Sequence, residues 1–348
     1  MNSRKTIRYI IYVILVVFAI AAIQLGRMYQ HIFSPNIKTP GNKDFFLYIP
    51  TGSDYDDVIA MLEKNKLISD GKTFTWAAEK KKYQDNVHPG RYKIRNNMSN
   101  NELLNILRAG LQEPVNLVIN MARTPRELAE KVSKQIEPGP DELHSLMNDE
   151  MFTDKYGFNR QTIIGMFLPN TYEFWWNTSA EGFFDRMHKE YERFWTRERS
   201  ALLKEMNMTR NEVITLASII INETNKSDEY RRIAGVYINR LNSGMRLQAD
   251  PTVKFALGKF EKQRILKKDT YVDSPYNTYL YAGLPPGPIS IPTISAIDAV
   301  LRYEKHDYLY FCAKEDFSGY HNFARTLAQH NKNARLYQSA LNRRRIMR

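Results

Sequence analysis

The carboxylate best placed for chemistry is Glu223, in the stretch TLASIIINETNKSDEY at residues 215–230. Thr209 and Glu212 of TRNE form a capping-box pattern that starts a helix. Val213, Leu216, Ala217 and Ile220 then recur at the three- and four-residue spacing of a buried face. Three residues past Ile220 the pattern lands on Glu223, so the carboxylate extends the apolar stripe instead of opposing it. Burial disfavours the charged form of a carboxylate and leaves a proton to donate near neutral pH. The negative potential of a helix C-terminus acts in the same direction. The spacing alone leaves a second reading open, in which the helix frays at residue 222 and Glu223 is solvated.

A glycoside hydrolase needs a second carboxylate, roughly 5–5.5 Å away for retention or 6.5–9.5 Å for inversion. Asp228, Glu229 and Asp250 are the candidates along the chain. Asp228 and Glu229 are expected in the first turn of a following helix capped by Ser227, where negative charge is favoured. Gln248, Asp250, Tyr276, Asn277 and Thr278 lie in MRLQADPTV and SPYNTY, whose polar side chains suit either sugar contacts or internal hydrogen bonds. No HExxH, GxSxG or P-loop pattern occurs. His321 and His330, nine apart, lack metal-ligand spacing and are read as structural or surface residues, so no metal or cofactor is expected. Cys312, in the apolar run YLYFCAKE, is the single cysteine and is expected as a buried strand thiol.

The elements that must position these residues follow from periodicity. A second helix is expected over SDEYRRIAGVYINRLNSG, with Ile233, Val236, Tyr237 and Leu241 inward and Gly244 as its stop. A short turn between the two helices places Glu223 at the mouth between them. Four prolines between residues 285 and 292 make AGLPPGPISIP a rigid, extended loop. Upstream, FFLYIP and GRYKI read as strands. Ser53 with Asp56 starts one helix, and SNNELLNILRAG is a capped helix ended by Gly110. VNLVINMARTPRELAEKVSKQI repeats the strand, threonine turn and helix seen at residues 45–68.

At 348 residues the chain suits about two domains of ordinary globular composition. Tyr9 to Leu25 form 17 residues without a charge, about 26 Å as a helix, enough for a bilayer core. Arg4, Lys5 and Arg8 precede it and place the N-terminus in the cytoplasm. AIA at residues 19–21 imitates a cleavage site, but the apolar run continues past it, which favours an uncleaved anchor over a signal peptide. Residues 31–44 read as a linker. Removing the three cations of residues 1–8 from the net charge of +12 leaves about +9 outside, suited to anionic lipid or an anionic polymer. Such a topology disfavours nucleic acid despite the tail NRRRIMR.

LASIIINET, VYINRLNSGMRLQADPTV, SPYNTYLYAGLPPGPISIP and HNFARTLAQHNK, in this order, resemble the endolytic murein transglycosylase family, also called MltG or YceG-like. FLPNTYEF departs from the family pattern, which usually has aspartate at Asn170, and Asn170 is given no role. The resemblance implies an α+β fold: a cytoplasmic N-terminus (1–8), a transmembrane helix (9–27), a linker (28–44), a LysM-like subdomain (45–120) and a mixed α/β catalytic domain (121–348). It places Glu223 at the family's catalytic glutamate. It implies cleavage of the MurNAc–GlcNAc bond in nascent peptidoglycan at the outer face of the bacterial cytoplasmic membrane, leaving 1,6-anhydro ends. Cell-wall synthases are implied as partners. A lysozyme-type muramidase and a non-catalytic peptidoglycan-binding scaffold are the alternatives.

Overall fold

The computed structural model describes residues 3–262 and 264–343, so residues 344–348 of the basic tail lie outside the described residues. The chain is α+β and divides into two compact units. The first comprises residues 1–116 and 173–178, the second residues 117–172 and 179–348.

In the first unit, helix α1 (Ser3–Phe33) precedes β1 (Phe45–Ile49), α2 (Tyr55–Lys64), α3 (Gly71–Lys80), β2 (Gly90–Ile94) and α4 (Asn100–Arg108). β1 and β2 pair antiparallel, Phe45 opposite Ile94 and Ile49 opposite Gly90. Their inward residues Leu47, Ile49, Tyr92 and Ile94 meet Val58, Leu62, Phe74, Leu103 and Leu107 from the helices in one core. Sequence placed the α2 cap one residue early: Asp54 is the N-cap and closes a capping box with Asp57. The α4 box joins Ser99 and Glu102, and Gly110 follows with φ +63°.

Within Ile7–Phe33 of α1 the most apolar 18-residue window has a mean hydropathy of 2.5, and the large apolar side chains from Tyr9 to Leu25 are exposed. This is a helix long and apolar enough to cross a membrane.

The expected linker at 28–44 is corrected by the structure. α1 continues to Phe33, just short of Pro35, which disfavours helix in the residue before it. Beyond it, Pro35 bridges to Ser99 and Ile37 to Ile68, and Ile37 is buried. The buried Asn36 amide donates to Asn100 Oδ1 at 2.8 Å, and Asn100 donates to the His31 carbonyl at 2.8 Å. Buried amides hold position when all their bonds are made, so these residues tie the end of α1 into the unit.

The second unit contains α5 (Pro125–Val132), α6 (Pro140–Asn148), α7 (Glu150–Asp154), α8 (Ala180–Phe194) and α9 (Arg197–Met206). After these come α10 (Arg210–Glu223), α11 (Tyr230–Asn242), α12 (Asp250–Leu257), α13 (Ile294–Leu301), β5 (Tyr310–Ala313), β6 (His321–Ala324) and α14 (Leu327–Arg343). The strands β3 (Val115–Ile119) and β4 (Asn170–Phe174) pair with each other, and the division of the chain passes through both.

α10 is the central element. Its capping box joins Thr209 and Glu212 as expected, but every residue from Val213 to Ile221 is buried. A helix buried all round has no wet face, so the apolar stripe read from sequence understated its position. α11, α12 and α13 pack around it. Each fully buried isoleucine, such as Ile214, Ile219 and Ile220, contributes roughly 1.5–3 kcal/mol.

The proline-rich loop locks onto α10. The Ile289 N–H donates to Ser218 Oγ at 3.0 Å, and Asn222 Nδ2 donates to Ser290 Oγ at 2.9 Å. On α11, a Cβ at Gly235 would stand 2.4 Å from the Glu304 carbonyl oxygen. Only glycine permits that approach, and the Glu304 N–H donates to the Arg231 carbonyl at 2.9 Å there.

Candidate active site

Glu223 is the last residue of α10, and Thr224 turns the chain away in extended conformation. The helix therefore ends at Glu223 without fraying before it. The side chain is partly buried and lines a cavity of about 360 Å³ with Tyr237 and Arg240 of α11, Gln248, Asp250 and Tyr279. Tyr310, Cys312 and His321 of the β5–β6 hairpin form a further wall.

The Tyr237 hydroxyl donates to Glu223 Oε1 at 2.7 Å. The ring is buried, and a buried tyrosine needs a partner for its hydroxyl. Burial pushes the Glu223 carboxyl from 4.5 up to about 7. The Tyr237 hydrogen bond opposes the rise, the Asp250 charge adds to it, and Lys254 and Arg240 oppose it. Glu223 can thus carry a proton at neutral pH and, once it has given that proton up, remains hydrogen-bonded. Burial and the adjacent Glu223 hold the Tyr237 phenol well above its usual range, so Tyr237 stays a donor throughout.

Arg240 is buried, its Nε donating to the Leu309 carbonyl and its Nη1 to the Leu247 carbonyl, both at 2.6 Å. It makes no ion pair among the described residues, so its charge is available to the cleft.

Two of the five sugar-contact candidates reach this cavity. Gln248 is exposed on its wall with φ +50°, a left-handed conformation uncommon for glutamine. Asp250 opens α12, and its Oδ1 accepts from the Tyr279 hydroxyl at 2.6 Å. Asn277 and Thr278 are turned inward and do not contact the cavity. The Asn277 amide donates to the carbonyls of Thr270 and Val272, at 3.0 and 2.7 Å. Thr278 Oγ1 accepts from the Ala249 N–H at 3.0 Å, and its carbonyl accepts from the Gln248 N–H at 3.1 Å. They fold the loop that presents Gln248 and Asp250 because their short polar groups satisfy buried backbone. Tyr276 packs on Phe255 with ring centroids 4.6 Å apart, away from the cavity lining, and burial pushes its phenol up to about 12.

Other expectations are corrected here. Ser227 does not cap α11: residues 227–229 form a separate 3-10 turn without a side-chain cap. Glu229, expected in the first turn of that helix, lies in this 3-10 turn instead, where it is buried and binds His321. Cys312 is half-buried on the cavity wall, and burial raises its thiol pKa, which argues against a nucleophile. No cluster of three potential metal-ligating side chains occurs among the described residues. Tyr279, Arg240 and the Glu229–His321 pair were not found from sequence; Tyr237 was placed inward, which is the signal that a buried hydroxyl must be met.

Comparisons with known proteins place the chain among relatives. A model of the YceG-like family matches residues 47–336. A Bacillus subtilis protein named endolytic murein transglycosylase is 31% identical over 312 residues, covering 84% of this chain and 85% of that protein. A Streptococcus pneumoniae protein of the same name is 30% identical over 317 residues, 82% of this chain and 57% of its own length. The crystal structure of a putative yceG-like protein of Listeria monocytogenes superposes with a TM-score of 0.56 at 31% identity, over 84% of this chain and 99% of that one. With most of its length matched by the family and by relatives at this identity, the chain belongs to the YceG-like family.

Proposed function

We propose that this chain is a membrane-anchored endolytic murein transglycosylase, with Glu223 acting first as general acid and then as general base. The observation that carries the mechanism is the partly buried Glu223, raised to about 7 and hydrogen-bonded by Tyr237 in a polar cleft. Protonated Glu223 donates to the glycosidic oxygen between MurNAc and GlcNAc as the bond breaks. The carboxylate then takes the proton from the MurNAc C6 hydroxyl, whose oxygen closes onto C1. The proton lost in the first half is regained in the second, and the products are a free GlcNAc hydroxyl and a 1,6-anhydroMurNAc end. Tyr237 and the Arg240 charge stabilise the carboxylate between the two transfers. The apolar α1, with Arg4, Lys5 and Arg8 at its start, supports an N-in anchor that keeps the catalytic unit on the outer side, close to nascent glycan.

Asp250 in the same cavity supports a second reading, a muramidase that uses it as the second carboxylate. Digesting glycan strands in ¹⁸O-water separates the two. The transglycosylase gives anhydro ends without label, whereas labelled reducing ends as the main product would replace it with the hydrolase.

The proton-donor role also fixes a pH dependence. Activity falls as Glu223 deprotonates above about pH 7. In Tyr237→Phe the carboxylate loses a hydrogen bond, so its pKa rises and the alkaline limb moves up by about one unit, with a lower maximal rate. A limb that stays in place or moves down would remove Tyr237 from the tuning of Glu223.

A further inference from the structure

A second assembly of polar groups reaches the same cleft from a distant part of the chain. Glu229, 5% exposed, accepts the His321 backbone N–H on Oε1 at 3.0 Å and the ring Nδ1 on Oε2 at 2.7 Å. A carboxylate only accepts, so Nδ1 carries the hydrogen, and in the tautomer this selects Nε2 is the nitrogen with the lone pair. Among the described residues Nε2 has no hydrogen-bond partner and is not fully enclosed, and His321 lines the cleft. This nitrogen therefore opens onto cleft space.

Its position is fixed relative to Glu223 by a row of rings. Phe311 stands edge-on to His321 at 5.3 Å and 88°, and edge-on to Tyr237 at 5.7 Å and 87°. Tyr237 in turn holds Glu223. Burying a carboxylate against an imidazole is a costly way to join a turn to a strand, since apolar packing would do so without desolvating a charge. The same arrangement fixes the tautomer and orientation of a histidine that must meet a ligand.

We propose that His321, oriented by Glu229, is a glycan-binding residue of this cleft: its Nε2 accepts a hydrogen bond from a sugar hydroxyl or acetamido N–H and positions the ring against Glu223. The proposal rests on the glycan-cleaving reading of the site. Glu229 is a positioning residue. In Glu229→Gln, the side-chain oxygen can keep the backbone N–H while the amide NH₂ faces Nδ1, which moves the ring hydrogen to Nε2 and replaces the acceptor by a donor.

The test uses the full chain in detergent, labelled with ¹⁵N-histidine and carrying Glu223→Gln to limit turnover, titrated with an alternating GlcNAc–MurNAc tetrasaccharide. The His321 Nε2 resonance is expected to shift on binding. His321→Ala and Glu229→Gln are expected to weaken binding about tenfold, with part of it restored in His321→Gln, which keeps an acceptor. With Glu223 intact, both weakening variants should raise KM more than they lower kcat. Thermal melts accompany each variant; if His321→Ala unfolds, Glu229→Gln and the parent resonance carry the test. Tetrasaccharide that binds without moving the Nε2 resonance, or folded variants that bind as tightly as the parent, would overturn the proposal. A parent that binds no tetrasaccharide overturns the glycan reading itself, and this proposal with it.

Discussion

Glu223→Gln is expected to lower the rate of glycan cleavage by about 10³-fold or more, because in the proposed mechanism one carboxyl serves both proton transfers. Glutamine keeps the shape and an acceptor for the Tyr237 hydroxyl, which lies 2.7 Å from Glu223 Oε1, so the cleft should be preserved. Only the exchangeable proton is lost. Arg240 and Tyr237 remain but have no developing carboxylate to stabilise, and their contribution falls with it. The measurement is release of anhydro ends from glycan strands, read by mass spectrometry under single-turnover conditions, with glycan binding followed in parallel. Binding within a few-fold of the parent and cleavage near background is the expected pair. Cleavage at the parent's rate would remove Glu223 from the reaction and shift attention to Asp250, the other carboxylate of the cavity.

The position of Glu223 was legible because two local rules agreed. The Thr209–Glu212 box set the start of α10, and helical spacing from Val213 carried the apolar face to the helix end. Gln248 and Asp250 were found through polar residues in a resembling motif, and they do face the cavity. Asn277 and Thr278 have equally suitable chemistry but are buried, because a loop that turns sharply needs side chains to satisfy its own backbone. Residue type cannot separate these two uses. The pairs that complete the site were out of reach for a different reason. Tyr279 meets Asp250 across 29 residues and His321 meets Glu229 across 92, distances over which no periodicity operates. The α1 boundary was missed because its last turns are polar and mixed, so the apolar pattern stopped before the helix did. Pro35 was the signal that marked its true end.

The second large effect of Glu223→Gln is on stability, and it depends on pH. Glu223 has a folded-state pKa of about 7 against an ordinary value of 4.5. Between these values the unfolded chain has released a proton that the folded chain retains. The folded state then binds more protons, so stability falls as pH rises through this window and levels off above about pH 7. A difference of roughly 2.5 units corresponds to something on the order of 3 kcal/mol at the alkaline plateau. Glutamine has no charge to bury and escapes that penalty. Below about pH 4 the parent and the variant should therefore melt together. Above pH 7 the variant should melt higher, by about 5 °C or more for a unit of this size. The crossing from equal to unequal melting, measured by scanning at several pH values in detergent, reports the same titration that governs proton donation. If the two proteins melt together at every pH, burial does not destabilise the Glu223 carboxylate, and the physical basis for its carrying a proton at neutral pH is gone. The expected outcome is the reverse: the residue proposed to donate the proton is also a site where the folded chain gives up stability, and the two effects can be read from a single amide substitution.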